Sequence, residues 1–225
     1  MFSTNFLGLL CVFVWFAIIF LLTSFCFLFN QGKSQSGSFT KNLETAVALL
    51  DKYQTRDQYV SIFAQMEELY KQNPSAWLPA YYASIIKARM AMKKMGDSDQ
   101  LANEAIKWLA ITKSIHNSDE VLCLESIVYT SKMAVNPIFR WKVYESRIKK
   151  PLEQAIALNK NNPRPYILKA NLQYKMPVLF GGGCNSARPI VQKAKTALDQ
   201  QKTEFTVMPH WGKPILEDLI KACPL

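Results

Sequence analysis

The chain has 225 residues and a formal net charge of +10, with 20% charged residues. Its length suits one domain plus an additional segment. Residues 1–32 contain no Lys, Arg, Asp or Glu, so the positive charge belongs to the rest of the chain and favours anionic neighbours there. No zinc-finger, RNP or helix-turn-helix pattern accompanies these basic residues, which argues against nucleic-acid binding.

An apolar segment lies near the N-terminus. Residues 6–29 are uncharged, and this length exceeds the roughly 20 residues that cross a bilayer. The segment lacks the basic start and the small-residue cleavage site of a secretory signal, which favours an uncleaved anchor. We therefore expect a transmembrane anchor or uncleaved signal at 1–30 and a flexible Ser- and Gly-rich linker at 31–40.

The sequence gives conflicting indications of the side of the membrane on which the domain lies. Lys33 and Lys41 follow the apolar segment, and the positive-inside rule would place them on the cytoplasmic side. The segment is N-terminal and precedes a soluble domain, however, which favours export. We expect the domain on the periplasmic or extracellular side, or secreted if the segment is cleaved.

Helical periodicity dominates residues 41–225. Apolar residues recur at spacings of three and four, as in the stripe Leu43, Ala46, Val47 and Leu50. Helix starts are predicted at Asn73-Pro74, Gly96-Asp97-Ser98, Asn117-Ser118, Asn136-Pro137 and Asn162-Pro163. Pro151 predicts a bend or a break in the helix that follows Pro137. The last helix is expected within residues 209–225.

A repeat of helix pairs is the main regularity. Asn73, Asn117 and Asn162 are separated by 44 and 45 residues, and each is expected to cap the first helix of a pair. Residues 162–202 form the best-defined pair, with Gly181, Gly182 and Gly183 in its turn. The sequence therefore predicts an all-α domain in which antiparallel helix pairs stack on one another.

Two of these starts resemble tetratricopeptide repeats. Asn162-Pro163-Arg164-Pro165-Tyr166 and Asn73-Pro74-Ser75-Ala76-Trp77 match the Asn-Pro start with an aromatic residue after two variable ones, and Ala170 and Ala197 match small packing positions. The period exceeds the family's 34 residues, and Lys169 replaces a usual leucine. The resemblance implies a short right-handed tetratricopeptide-like solenoid over 41–225 that binds a partner and carries no catalytic residue.

The last pair has a further likeness. Residues 177–183, together with Pro209-His210-Trp211-Gly212, are similar to segments of exported bacterial tetratricopeptide-like proteins, many without an assigned activity. That likeness implies a scaffold.

Candidate catalytic and metal sites are weak. No Gly-Lys-Ser/Thr follows the three glycines, so they do not form a phosphate-binding loop. The two histidines and five cysteines show no metal-ligand spacing, and Cys184 with His210 makes only a weak nucleophilic pair. Cys184 and Cys223 could form a disulfide in an exported domain, but the odd number of cysteines outside the apolar segment favours buried thiols. We therefore predict no enzyme activity, metal or cofactor.

Binding is the remaining function. We predict a non-enzymatic protein-binding scaffold at or beyond the cytoplasmic membrane, whose partner carries an acidic segment. The candidate partner groove contains aromatic and basic residues that are typical interface anchors: Trp77, Tyr81, Tyr82, Lys87, Arg89, Arg140 and Trp141. The alternative is a small-molecule-binding accessory module of a solute-uptake system, which an enclosed cavity would favour.

Overall fold

A computed structural model describes residues 37–50, 52, 55–201 and 207–224. Every regular element in these ranges is a helix, as the periodicity predicts. None of these helices is both long enough and apolar enough to cross a bilayer, and the predicted anchor at 6–29 lies outside the described residues. Residues from Leu43 onward form one compact unit.

The helices follow one another with short connections. They are α1 (37–50), α2 (Arg56–Gln72), α3 (Trp77–Met92), α4 (Ser98–Ile115), α5 (Asp119–Ala134), α6 (Pro137–Leu158), α7 (Pro163–Lys175), α8 (Cys184–Gln200) and α9 (Lys213–Ala222), with a 3₁₀ turn at Val178–Phe180. Residues 37–40 are helical and continue into the apolar stripe of α1, whereas the sequence predicts a linker there.

The helices pack in consecutive pairs. α3 packs against α4, α5 against α6 and α7 against α8, while α3 contacts α5, and α5 and α9 contact α7. The first helices of successive pairs are therefore neighbours. Stacking into a right-handed solenoid stays a prediction.

The predicted helix caps are only partly correct. Asn162 caps α7 by accepting a hydrogen bond from Arg164 N, and Asp97 caps α4 in the same way. Asn73, in contrast, ends α2, because a turn from Asn73 to Ala76 delays the start of α3 until Trp77. At α5 the cap is Ser118 rather than Asn117.

Pro151 lies within a single helix, so of the two predicted outcomes, a bend or a break, the break is wrong. The side chain of Pro151 is buried. Proline removes one backbone donor from a helix, and the helix continues past it because Leu152 and Ala155 on the same turn pack into the core.

The turn between α7 and α8 depends on its glycines. Gly181 and Gly183 have φ angles of 80° and 87°, which glycine adopts without steric cost. A Cβ at Gly182 would lie 1.9 Å from the carbonyl oxygen of Met176. Ala170 and Ala194 are fully buried where α7 and α8 meet, in agreement with a small residue at position 170.

Candidate functional site

A mostly apolar groove lies among the first helices of the pairs. Its volume is about 250 Å³, and we refer to it as the central groove. It is lined by Ile85, Arg89, Met92, Ser126, Ile127, Thr130, Met133, Ile148, Leu168, Asn171, Leu172, Lys175, Trp211 and Ile215. Apolar walls with a few polar groups are typical of sites for small ligands.

Three helices build the groove with the same spacing. α3 contributes residues 85, 89 and 92, α5 contributes 126, 127, 130 and 133, and α7 contributes 168, 171, 172 and 175. Positions separated by three, four and seven residues lie on one face of a helix. Each helix therefore presents its C-terminal half to the groove, and the two cations, Arg89 and Lys175, stand near helix ends.

Trp211 closes one side of the groove and is fixed by a buried hydrogen bond. Its indole N–H donates to the hydroxyl oxygen of Tyr81 at 2.8 Å, and the hydroxyl of Tyr82 donates to the carbonyl oxygen of Val207 at 2.9 Å. Gly212 has a φ of 115°, and a Cβ there would lie 3.0 Å from Ile167. Two tyrosines and one glycine thus hold the segment before α9 against α3 and α7.

A buried ion pair joins α5 to α7 below this segment. Arg164 donates from Nε to Glu120 Oε1 at 2.6 Å, and Asn162 Nδ2 donates to the same oxygen at 2.6 Å. Glu120 is 5% exposed and Arg164 is 6% exposed. Glu120 Oε2 and Arg164 Nη1 are buried without a hydrogen-bond partner among the described residues.

Burial governs the electrostatics of this region. It raises the pKa of Glu120 above its ordinary value of 4.5, while the charge of Arg164 acts in the opposite direction. Burial, followed by the charge of Glu120, raises the pKa of Tyr81 well above 10.0. Tyr81 is therefore a neutral hydroxyl at neutral pH, available as the acceptor for Trp211.

Most of the residues predicted to form a partner groove make contacts within the domain. Tyr81 and Tyr82 are buried, and Trp77 stacks on His116 with ring centroids 4.5 Å apart. Of the seven, only Arg89 lines the central groove.

The other three predicted residues each contact a charged side chain nearby. Lys87 pairs with Glu104 at 2.7 Å. Arg140 donates from two nitrogens to the carboxylate of Asp99, both at 2.6 Å. Trp141 lies beneath the ammonium of Lys149, 5.3 Å from its ring centroid. The partner groove stays a prediction.

A second cleft of about 490 Å³ lies between α4, α5 and α6. Polar and charged side chains dominate its lining, including Lys113, which pairs with Glu125 at 2.8 Å. We favour the central groove as the ligand site because its walls are largely apolar.

Cysteine chemistry differs from the favoured sequence interpretation. Cys184 and Cys223 form a disulfide across 39 residues, so the expectation of three buried thiols is wrong, and Cys123 remains as a buried free cysteine. Cys184 therefore has no thiol for a Cys-His pair. No group of His, Cys, Asp and Glu side chains suited to a metal ion occurs in the part of the chain that the structure describes.

Sequence reasoning missed most of the central groove. Ile127, Met133 and Leu172 have the same helical spacing as core residues, so the sequence pattern predicts that they pack in the core. One feature of the sequence could have indicated the groove, namely that Arg89 and Lys175 lie at the ends of otherwise apolar helix faces. A cation in that position can face an anionic group of a ligand at the mouth of a pocket.

No protein-family profile matches the sequence, and no curated protein matches it. Among solved structures, it is similar to the HusA haemophore from Porphyromonas gingivalis. The two share 28% sequence identity with a TM-score of 0.73, over 81% of this chain and 90% of the haemophore. The likeness extends over most of both chains and supports the helical fold described above.

Proposed function

We propose that this chain is an exported, non-enzymatic accessory protein of a haem-uptake system and that haem binds in the central groove. The observation that carries the proposal is the similarity to a haemophore over most of both chains. It favours the small-molecule alternative over the protein-binding scaffold. The disulfide between Cys184 and Cys223 supports export, because structural disulfides persist in oxidising compartments.

The chemistry of the groove suits this cargo. Haem is a flat apolar ring with two carboxylates on one edge. Ile127, Leu172 and Trp211 can cover the ring, while Arg89 and Lys175 provide positive charge for the carboxylates. Burial of apolar ring surface supplies most of the binding free energy, at about 25 cal/mol per Å².

Binding through the ring is favoured over binding through the iron. Among the described residues, no histidine or tyrosine lines the central groove, and Met92 and Met133 are the lining side chains with a sulfur atom. A metal-free porphyrin should therefore bind as well as haem. The groove volume of about 250 Å³ is below the roughly 300 Å³ typical of small-ligand pockets. Part of the ring is expected to stay outside the walls, or the flexible methionines move aside.

The remaining features fit the same proposal. The helix pairs would stack in the manner of tetratricopeptide repeats, and residues 6–29 would hold the domain at a membrane. A protein that receives the cargo, with an acidic segment facing the basic domain, is the partner we expect. The residues predicted for a scaffold groove are mostly engaged with one another or with other helices, which weakens the scaffold hypothesis.

The proposal is tested by titrating the purified full chain with haem and with protoporphyrin while recording absorbance. We expect saturable binding of both at one site. Leu172→Glu, which places a carboxylate in the apolar wall, should weaken both by at least tenfold. Lys193→Ala removes an exposed cation from α8, outside the groove, and should change neither. Absence of saturable binding by the wild-type chain, with an unchanged circular dichroism spectrum, would refute the proposal.

A further inference from the structure

The turn between α7 and α8 exposes three consecutive bulky apolar side chains. Val178, Leu179 and Phe180 are 78%, 87% and 71% exposed, and we call them the apolar tip. Soluble domains expose single apolar side chains routinely, but a contiguous patch of this kind marks an interaction site. The tip also protrudes, since most of the surface of each residue is accessible.

The fold holds this tip outward. Gly183 N donates to the carbonyl oxygen of Gln173 at 3.0 Å, and the side chain of Gln173 donates to the carbonyl oxygen of Gly181 at 2.6 Å. Gly182 is buried against Met176. The exposure therefore belongs to a turn whose backbone is fixed at both ends.

A second apolar patch begins α6. Ile138, Phe139 and Val143 are 88%, 78% and 64% exposed, and we call them the α6 patch. Ile138 follows the groove residue Met133 by five positions, and Val178 follows the groove residue Lys175 by three. At no more than about 3.8 Å per residue, both patches lie within about 20 Å of groove-lining residues.

The sequence segments that carry these patches are basic. Residues 154–198 contain seven Lys and Arg and no Asp or Glu, and residues 126–144 contain three and none. Arg164 is neutralised by Glu120, and Arg140 and Lys132 both pair with Asp99, whereas Lys142 and Lys175 are exposed beside the patches. Protruding apolar side chains flanked by exposed lysines are suited to an anionic bilayer interface.

We infer that the apolar tip and the α6 patch form a lipid-docking surface that enters the interface of an anionic membrane beside the central groove. A bilayer accepts protruding side chains without a preformed pocket, and its anionic headgroups complement the surrounding cations. This inference does not depend on which ligand occupies the groove.

Photo-crosslinking distinguishes this contact from insertion of residues 6–29. The full chain is incorporated into vesicles of phosphatidylcholine, with or without phosphatidylglycerol, that contain a lipid with a photoactivatable acyl chain. Mass spectrometry then locates the crosslinks. We expect crosslinks at 178–180 and at 138–143, severalfold more abundant with phosphatidylglycerol.

Leu179→Ser combined with Phe180→Ser should reduce the crosslinks at the tip about tenfold. Leu158→Ser removes a similarly exposed apolar side chain, 67% accessible, from the other end of α6 and should have no effect. Circular dichroism verifies that the variants fold. Lipid crosslinks confined to 6–29 would overturn the inference. Sedimentation showing self-association that the tip variant abolishes would overturn it in favour of a second copy as the occupant.

Discussion

Replacement of Arg164 by methionine removes one half of the buried ion pair between α5 and α7. Methionine keeps most of the apolar contact of the arginine stem but leaves the Glu120 carboxylate, 5% exposed, with Asn162 as its remaining close donor. An unpaired buried charge is costly because water no longer solvates it. We expect a large loss of stability in this variant.

The expected magnitude follows from the burial of both partners. Removing one partner of a buried pair costs about 3–5 kcal/mol. For a domain of this size each kcal/mol lowers the melting temperature by about 2–4 °C, so a fall of about 6–20 °C is predicted. Lys195→Met is the matched control, because Lys195 and Asp199 form an exposed pair on α8 whose loss should cost less than about 1 kcal/mol.

The loss should also depend on pH. Burial already raises the pKa of Glu120 above 4.5, and removal of Arg164 takes away the main opposing charge. A carboxyl whose pKa is raised in the folded state is neutral there at low pH, and a neutral carboxyl has no charge that needs a partner. The stability difference between wild type and Arg164→Met should therefore be smallest below pH 4.5 and increase as pH rises through the folded-state pKa.

The assay is thermal and urea unfolding followed by circular dichroism across this pH range. A loss below about 1 kcal/mol, or a loss that does not vary with pH, would show that Glu120 is not held as a buried charge by Arg164. That result would refute the reasoning.

Three further predictions concern other parts of the domain. Hydrogen bonds from Arg140 and then Lys132 lower the pKa of Asp99 below its ordinary value of 3.8, so Asp99 stabilises the fold above that pH. In urea unfolding, Asp99→Asn should therefore lose stability at neutral pH, and the difference from wild type should shrink as pH falls below 3.8. Cys184→Ser combined with Cys223→Ser removes the disulfide that closes a loop of 39 residues and should lower the free energy of unfolding in urea by about 2–4 kcal/mol. A reductant should lower the stability of the wild type by a similar amount and leave the double variant unchanged. Gly182→Ala should lower stability by about 1–3 kcal/mol, because the added Cβ meets the Met176 carbonyl, whereas Ser186→Ala on α8 should be nearly neutral in the same melting experiment.

Local sequence signals were sufficient to predict much of the fold. The apolar periodicity predicted an all-α domain, and the glycines at 181–183 predicted the turn between α7 and α8. These features depend on residues close in sequence. The start of α3 was misplaced because Asn73 with Pro74 fits a helix start and a turn equally well.

Long-range features could not be predicted in the same way. Glu120 and Arg164 are 44 residues apart, and nothing local to either residue indicates that they meet. They occupy the first turns of α5 and α7, at equivalent positions in successive pairs. The repeat spacing therefore aligns the two positions but does not predict that their side chains form an ion pair. The disulfide was underestimated because Cys123 made the number of cysteines odd.

The most direct test of haem binding in the central groove is methyl NMR of the methionines, with a diamagnetic gallium porphyrin as the ligand. Met92 and Met133 line the groove, whereas Met66 is fully buried in α2 and serves as an internal control. Ring currents should shift the methyl resonances of Met92 and Met133 at one equivalent of porphyrin and leave Met66 unchanged. Binding that leaves both groove methionines unshifted would contradict the central claim.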